Sequence, residues 1–249
     1  MSSPSPIRVL INGSRGRMGQ ALVQCAKDFD ALTVGAEVDA GDDFAGALQN
    51  CEAIIDFSHH AIIESVLDAC VTSRKTLVIG TTGHSDGQIA AIHAAAKQIP
   101  VVFAPNYSVG VNTLFWLTRK ATEILGTSFD LEVVEMHHRM KKDSPSGTAK
   151  RLAEILAEVR ALSYQSDTRH GRHGIVGERT QDEIGMHAVR GGDVVGDHTV
   201  IYAAMGERLE LTHKASSRDT FARGALRASL WAHGRAPGLY DMQDVLGLH

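Results

Sequence analysis

The first hundred residues alternate short apolar strands with helical patterns, and that rhythm leaves few folds open. Ile7 to Ile11, Leu32 to Val38, Ala53 to Phe57, Leu77 to Ile79 and Val101 to Phe103 read as strands. Met18 to Ala26, Ala61 to Val71 and Ile89 to Ala96 carry helical spacing between them. Short strands separated by helices imply a parallel, doubly wound sheet. After Pro105 the rhythm changes. Val109 to Leu125 reads as one long helix, Leu131 to Met136 as a strand and Ala149 to Val159 as a helix. A His/Arg/Gly-rich loop is expected over about 163–179, followed by strands at Ile184 to Val189, Thr199 to Ala203 and Leu209 to His213. That second half has α+β character. The helical pattern from Thr220 to Trp231 has no sheet of its own and is returned to the first domain.

The expected architecture is therefore α/β: an N-terminal Rossmann-like parallel sheet plus an α+β domain. Residues 1–107 and 218–249 form the first, and residues 108–217 the second. A chain of 249 residues can bury this much core. Its formal net charge of −4 gives no reason to expect nucleic acid or a membrane surface as partner. No apolar run is long enough to span a bilayer. Met1 to Pro6, rich in Ser and Pro, lacks the apolar core of a signal peptide and reads as a frayed tail. Cys25, Cys51 and Cys70 form no C-x-x-C pair and suit buried thiols in a reducing cytoplasm.

The first strand runs into Gly13-Ser14-Arg15-Gly16-Arg17-Met18-Gly19, a G-x-x-G-x-x-G relative of the dinucleotide fingerprint. Glycines here permit a tight turn and close backbone approach to a pyrophosphate at a helix N-terminus. Asp39 ends the second strand, 20 residues after Gly19, where an acid hydrogen-bonds the adenosine ribose. Ala40 follows it, and no adjacent arginine waits for a 2′-phosphate. A preference for NADH over NADPH follows, with Arg15 or Arg17 the side chains able to reach a phosphate. Gly80-Thr81-Thr82-Gly83 and Ala104-Pro105-Asn106-Tyr107 follow strands four and five, where such sheets open toward a ligand. Read alone, each is equally a plain turn.

The chemistry concentrates in Glu135 to Ala149, E-M-H-H-R-M-K-K-D-S-P-S-G-T-A, at a strand-to-helix junction. Ser146-Gly147-Thr148 would aim backbone N–H groups at an anion, with the helix dipole assisting. Lys141 adds a point charge, and His137 and His138 add titratable nitrogens. This suits a small carboxylate with proton transfer nearby. The bland alternative is an N-cap with solvated basic residues around it. His170 and His173 form an H-x-x-H, but no carboxylate or cysteine completes a tetrahedral set, so no metal is expected. Trp116 and Trp231 lie in apolar helical patterns and read as core. Arg190 to His198 reads as a turn shaping the second domain or a subunit contact.

Taken together, the blocks G-S-R-G-R-M-G, D-F-S at Asp56, G-T-T-G, A-P-N-Y-S-V-G-V-N, the Glu135 block, R-G-G-D-V-V-G-D-H-T-V at Arg190 and H-K-A-S-S-R at His213 resemble the 4-hydroxy-tetrahydrodipicolinate reductase family. They follow the family's order over nearly the whole chain, and the Glu135 block is its specific mark. Met140, Lys142 and Ser144 are mild departures.

The resemblance implies an NAD(P)H-dependent enzyme of the diaminopimelate route to lysine, cytoplasmic and homotetrameric through the sheets of its substrate domains. It implies His137 as catalytic acid/base and Lys141 as second proton donor near the ring nitrogen. It implies His138, Ser146, Gly147 and Thr148 as holders of a small dicarboxylate substrate. For the cofactor, NADH or NADPH, it implies Gly13, Ser14, Arg15, Gly16, Arg17, Met18, Asp39, Gly80, Thr81, Thr82, Ala104, Pro105, Asn106 and Tyr107. Domain closure is expected, with hinges near Tyr107 and Ser217. Three rival readings stand beside it: another two-domain dehydrogenase, a dinucleotide sensor without turnover, and a repurposed reductase acting on a related ring.

Overall fold

The computed structural model describes residues 5–248, so of the expected N-terminal tail only Ser5 and Pro6 fall within it. The chain divides into two compact units, 1–109 with 218–249, and 110–217.

In the first unit, β1 (Ile7–Asn12), α1 (Arg17–Ala26), β2 (Leu32–Val38), α2 (Phe44–Leu48), β3 (Ala53–Asp56), α3 (Ile63–Thr72), β4 (Thr76–Ile79), α4 (Asp86–Ala96) and β5 (Pro100–Phe103) follow one another. The strands form a parallel sheet. Its order is β11-β5-β4-β3-β1-β2, where β11 is Gly238–Tyr240. The chain steps outward from β1 to β2, then reverses to β3, so the crevice at the strands' carboxyl ends lies beside Asn12 and Asp56. Ligands of such sheets bind at that switch point. Strands buried on both faces need apolar residues throughout, and β3 and β4 are buried at every position. Val9, Ile11 and Ile55 pack one face against α1 and α8 (Asp219–Ala232). Leu10, Ile54, Leu77 and Ile79 pack the other against α3 and α4.

The second unit runs from α5 (Val109–Leu125) through β6 (Asp130–His137), α6 (Gly147–Arg160), α7 (Tyr164–Asp167), β7 (Thr168–His170), β8 (Ile184–Arg190) and β9 (Gly196–Ala204) to β10 (Glu207–Ala215). Its mixed sheet has the order β10-β9-β6-β8-β7. β6 alternates strictly, with Leu131, Val133, Glu135 and His137 inward. The helices α5 and α6 cover that face with Leu114, Phe115, Leu152 and Leu156. Tyr202 on β9 bolts α5 down, its hydroxyl donating to the Thr118 carbonyl at 2.9 Å.

Two expectations need correcting. The region expected to be a plain loop over 163–179 opens with α7 and β7, and β7 pairs parallel with β8. Ser163 caps α7 and gives that short helix its start. The C-terminal segment also brings a strand, β11, and a last helix α9 (Met242–Leu246), neither visible in a three-residue and a five-residue pattern.

Candidate active site

At the glycine loop, Gly13 has φ +80° and a Cβ there would lie 2.4 Å from the Phe57 carbonyl oxygen. A Cβ on Gly19 would lie 2.2 Å from the Gly13 carbonyl oxygen. Only glycine lets α1 sit this close to the turn. The amides of Gly13 and Ser14 are committed to the Val38 carbonyl, and that of Arg15 to Asp39 Oδ2 at 2.8 Å. The amides that open α1 are those of Arg17 and Met18, and its N-cap Gly16 provides no side-chain cap. An uncapped N-terminus with a basic first residue favours an anion, since the helix dipole alone would disfavour Arg17 there.

Asp39 accepts from the amides of Ala40 and Arg15, both at 2.8 Å, and these bonds hold its carboxyl below the usual range. Beside it Asp42 clamps the Arg15 guanidinium through two bonds of 2.9 and 3.0 Å. Asp39, Asp42 and the apolar Phe44, Phe57, Ile62 and Val66 line a cavity of about 710 Å³, large enough to admit a nucleoside. The glycine cradle, the uncapped helix and this cavity fit a dinucleotide.

At the switch point Asp56, 1 % exposed, gathers three donors. Asn12 Nδ2, Ser58 Oγ and Thr81 Oγ1 each approach its carboxylate to 2.6 Å. The hub ties the ends of β1, β3 and β4 together and fixes Gly80 and Thr81, whose amides also donate to the Asp56 carbonyl. Gly80 lies under the Phe57 ring, 2.1 Å from where its Cβ would be. Thr82 and Pro105 are exposed, Asn106 is half-buried and Ala104 is buried. The Tyr107 hydroxyl is spent on the carbonyls of Ile79 and Val102, at 2.8 and 3.0 Å. Tyr107 is thus a core bolt, and any contact it makes with a ligand falls to its backbone.

In the second unit, His137 ends β6 with 8 % exposure. Its Nδ1 lies 2.7 Å from Glu135 Oε2. Glu135 is fully buried and also accepts from Arg190 Nη1 and Nη2, at 2.7 and 2.8 Å, and from the Ser146 amide at 3.0 Å. Burial pushes the His137 imidazole below its ordinary value, and Lys141 and Arg190 push the same way against the Glu135 carboxylate. That shift favours the neutral imidazole. His138 stands just past the strand, half-buried, its amide donating to the Val194 carbonyl at 2.7 Å. Lys141 Nζ pairs with Asp143 Oδ1 at 3.0 Å.

Ser146 caps α6, its Oγ accepting from the Ala149 amide at 3.1 Å and lying 3.0 Å from His198 Nε2. Gly147 and Thr148 open the helix, and a Cβ on Gly147 would meet nothing within 4 Å, so the space above it is open. The structure thus gathers His137, Ser146 and the turn at Gly147 around one carboxylate.

Sequence reasoning assigned no role to Glu135, Asp56 or Asp42, and read Arg190 and His198 as a turn or subunit contact. A turn does join β8 to β9 there, and Arg190 and His198 on either side of it both reach the buried side chains of β6. A signal for Glu135 existed: a carboxylate on the apolar side of an alternating strand, two residues before a histidine.

The same organisation is matched by two family models. "Dihydrodipicolinate reductase, N-terminus" matches residues 7–107, and "Dihydrodipicolinate reductase, C-terminus" matches residues 110–246. The chain belongs to the dihydrodipicolinate reductase family. It is 58 % identical over 242 residues to the 4-hydroxy-tetrahydrodipicolinate reductase of Akkermansia muciniphila, covering 97 % of this chain and 98 % of that one. It is 46 % identical to the enzyme of the same name from Syntrophotalea carbinolica, over 97 % and 99 % of the two chains. Among solved structures, the dipicolinate-bound dihydrodipicolinate reductase from Paenisporosarcina sp. TG-14 shares the family fold at a TM-score of 0.77. It is 23 % identical, with 96 % and 98 % of the chains covered. Among the described residues, no helix is long and apolar enough to cross a membrane.

Proposed function

We propose that this protein is a 4-hydroxy-tetrahydrodipicolinate reductase, reducing its substrate to tetrahydrodipicolinate on the diaminopimelate route to lysine. The observation that carries the reading is His137, anchored through Glu135 to the Ser146-Gly147-Thr148 turn, in a chain matched by the family along its length. Residues 1–107 with 218–249 hold the dinucleotide, and residues 108–217 hold the substrate.

When bound, the nicotinamide cofactor supplies the hydride. The chain's own residues do the rest. The amides of Gly147 and Thr148 and the side chains of Ser146 and His138 hold the two substrate carboxylates at the N-terminus of α6. Lys141 brings positive charge to the ring nitrogen, which favours electron flow toward it. Its present partner Asp143 is largely exposed and easily exchanged for a substrate group. His137 holds or yields a proton at Nε2. A bound dianion raises the affinity of His137 for that proton, offsetting the effect of burial.

Asp39 and Asp42 face the adenosine end and repel a 2′-phosphate, while Arg15 is already paired. NADH is therefore the preferred cofactor, with NADPH accepted more weakly. We place the protein in the cytoplasm, in keeping with three buried free thiols. We also assign it a homotetramer through the second sheet, whose face opposite the helices carries Val134, Met136, Thr199 and Ile201. Sedimentation giving four times the 26.8 kDa chain mass checks that assignment.

The deciding assay follows NADH and NADPH oxidation by absorbance, with substrate generated from pyruvate and aspartate semialdehyde by the preceding synthase. Rapid synthase-dependent oxidation, with the lower KM for NADH, is expected. NADH binding without oxidation would point instead to a repurposed reductase or a sensor.

A further inference from the structure

The carboxylate of Glu135 has four donors and no exposure. Oε2 takes His137 Nδ1 and Arg190 Nη1, while Oε1 takes Arg190 Nη2 and the Ser146 amide. Sequence spacing brings the first of these together, since residues two apart on a strand share a face. The other three come from Arg190 on β8 and from the cap of α6.

We propose that Glu135, clamped by Arg190, is a positioning residue. It locks His137 in the tautomer with the proton on Nδ1, and fixes the anion-binding turn at Ser146 with the same carboxylate. The assignment rests on the reductase reading for its kinetic consequences only. An ionised carboxylate can only accept, so the nitrogen facing it must be the donor. Arg190 is always charged, and its fork keeps the buried Glu135 ionised and in plane. Nε2 is thereby left as the nitrogen through which protons enter and leave. Its surroundings agree. A Cβ on Gly196 would come within 3.0 Å of Nε2, so a glycine at this position keeps that side of the ring clear.

The groups facing His137 are Glu135 on its own strand, Arg190 from β8, His198 from β9 and the Lys141–Asp143 pair from the following loop. The His198 ring is edge-on with centroids 5.1 Å apart. Ser146 holds His198 Nε2, and burial of His198 pushes its pKa down to about 3, so it stays neutral. Glu135 is the group that works against burial, Lys141 and Arg190 to hold a proton on His137. Removing its charge lowers the pKa of His137 further. A glutamine there also offers an N–H to Nδ1, which permits the opposite tautomer.

The test is nitrogen-15 NMR of histidine-labelled full-length protein, with His137 identified by the signal lost in His137→Gln. The unsubstituted protein is expected to show the Nδ1–H pattern, and Glu135→Gln the Nε2–H pattern or a mixture. In the coupled assay Glu135→Gln is expected to lower kcat by about 10–100-fold. The alkaline limb of its kcat/KM profile, set by loss of the His137 proton, moves to lower pH, and NADH affinity holds within about two-fold. Glu135→Asp, which keeps the charge, recovers much of the loss. An Nε2–H pattern in the unsubstituted protein overturns the proposal, as does an unchanged kcat and pH profile in Glu135→Gln. Should Glu135→Gln fail to fold, the spectrum of the unsubstituted protein decides alone. An Nδ1–H pattern in a protein with no synthase-dependent oxidation would sink the reductase reading and leave the tautomer assignment standing.

Discussion

At the scale of single residues, the proposed cofactor preference turns on how Asp42 restrains Arg15. Beside Asp39, Asp42 adds its own charge to the cavity wall and also accepts two bonds from the Arg15 guanidinium, which keeps Arg15 from a phosphate. Asp42→Asn releases Arg15 while leaving Asp39 in place. The pair is exposed, so its net worth is at most about 1 kcal/mol. The NADPH-to-NADH ratio of kcat/KM is therefore expected to rise by about five-fold. Steady-state kinetics with both cofactors checks this, and an unchanged ratio would leave Asp39 as the sole discriminator.

Among the elements, α6 has a cap at which helix stability and the proposed substrate binding share an atom. Ser146 Oγ caps the helix and also satisfies His198 Nε2. Ser146→Ala removes a cap worth about 1 kcal/mol. It also leaves a buried histidine nitrogen unpaired, at about 1–3 kcal/mol more. A drop of about 4–16 °C in the thermal midpoint follows for a chain of this size, with a raised substrate KM. Calorimetry and the coupled assay read the two effects separately. A normal midpoint with raised KM would confine Ser146 to ligand binding.

Elements of this kind were legible in the sequence where periodicity was long. α5 and β2 have the bounds that their patterns give, Val109–Leu125 and Leu32–Val38. α2 and β11 were not legible, because five and three residues carry too little period to register. The reaching side chains behave likewise. Glu135 and His137 are two apart on one strand, so their meeting follows from alternation alone. Arg190 arrives from 55 residues away, through a β6–β8 pairing in which His137 lies opposite it. Asp56 meets Asn12 for the same reason, as register neighbours on β3 and β1. No local pattern encodes such pairings.

Across the whole molecule, the buried histidines and carboxylates with lowered pKa values shape stability on the acid side with one sign. His198 is 4 % exposed, and burial first, then neighbouring His137, pushes its pKa to about 3. His137 and His213 are depressed in the same direction, chiefly by burial. Above pH 6.5 these histidines are neutral in both folded and unfolded chains and contribute nothing to the slope. As pH falls through 6.5, the unfolded chain takes up protons that the native state refuses, so stability is lost. For His198 the loss reaches about 4–5 kcal/mol by pH 3, a large share of the 5–15 kcal/mol typical of a folded domain.

Carboxylates add a second phase. Burial of Glu132 is outweighed by hydrogen bonds from Arg172, His187 and Arg179, which bring its pKa to about 2. Its stabilisation is present above about pH 4.5 and is lost as pH falls toward 2. Urea unfolding at pH 7.5, 6.0 and 5.0 should therefore show a steady decline from the histidines before any carboxylate titrates. His198→Gln, neutral in both states, should flatten that decline even if it lowers stability at pH 7.5. Equal unfolding free energies at pH 7.5 and 5.0 in the unsubstituted protein would mean that the histidines protonate in place. His198 would then be far less insulated from solvent than its position beneath Ser146 implies.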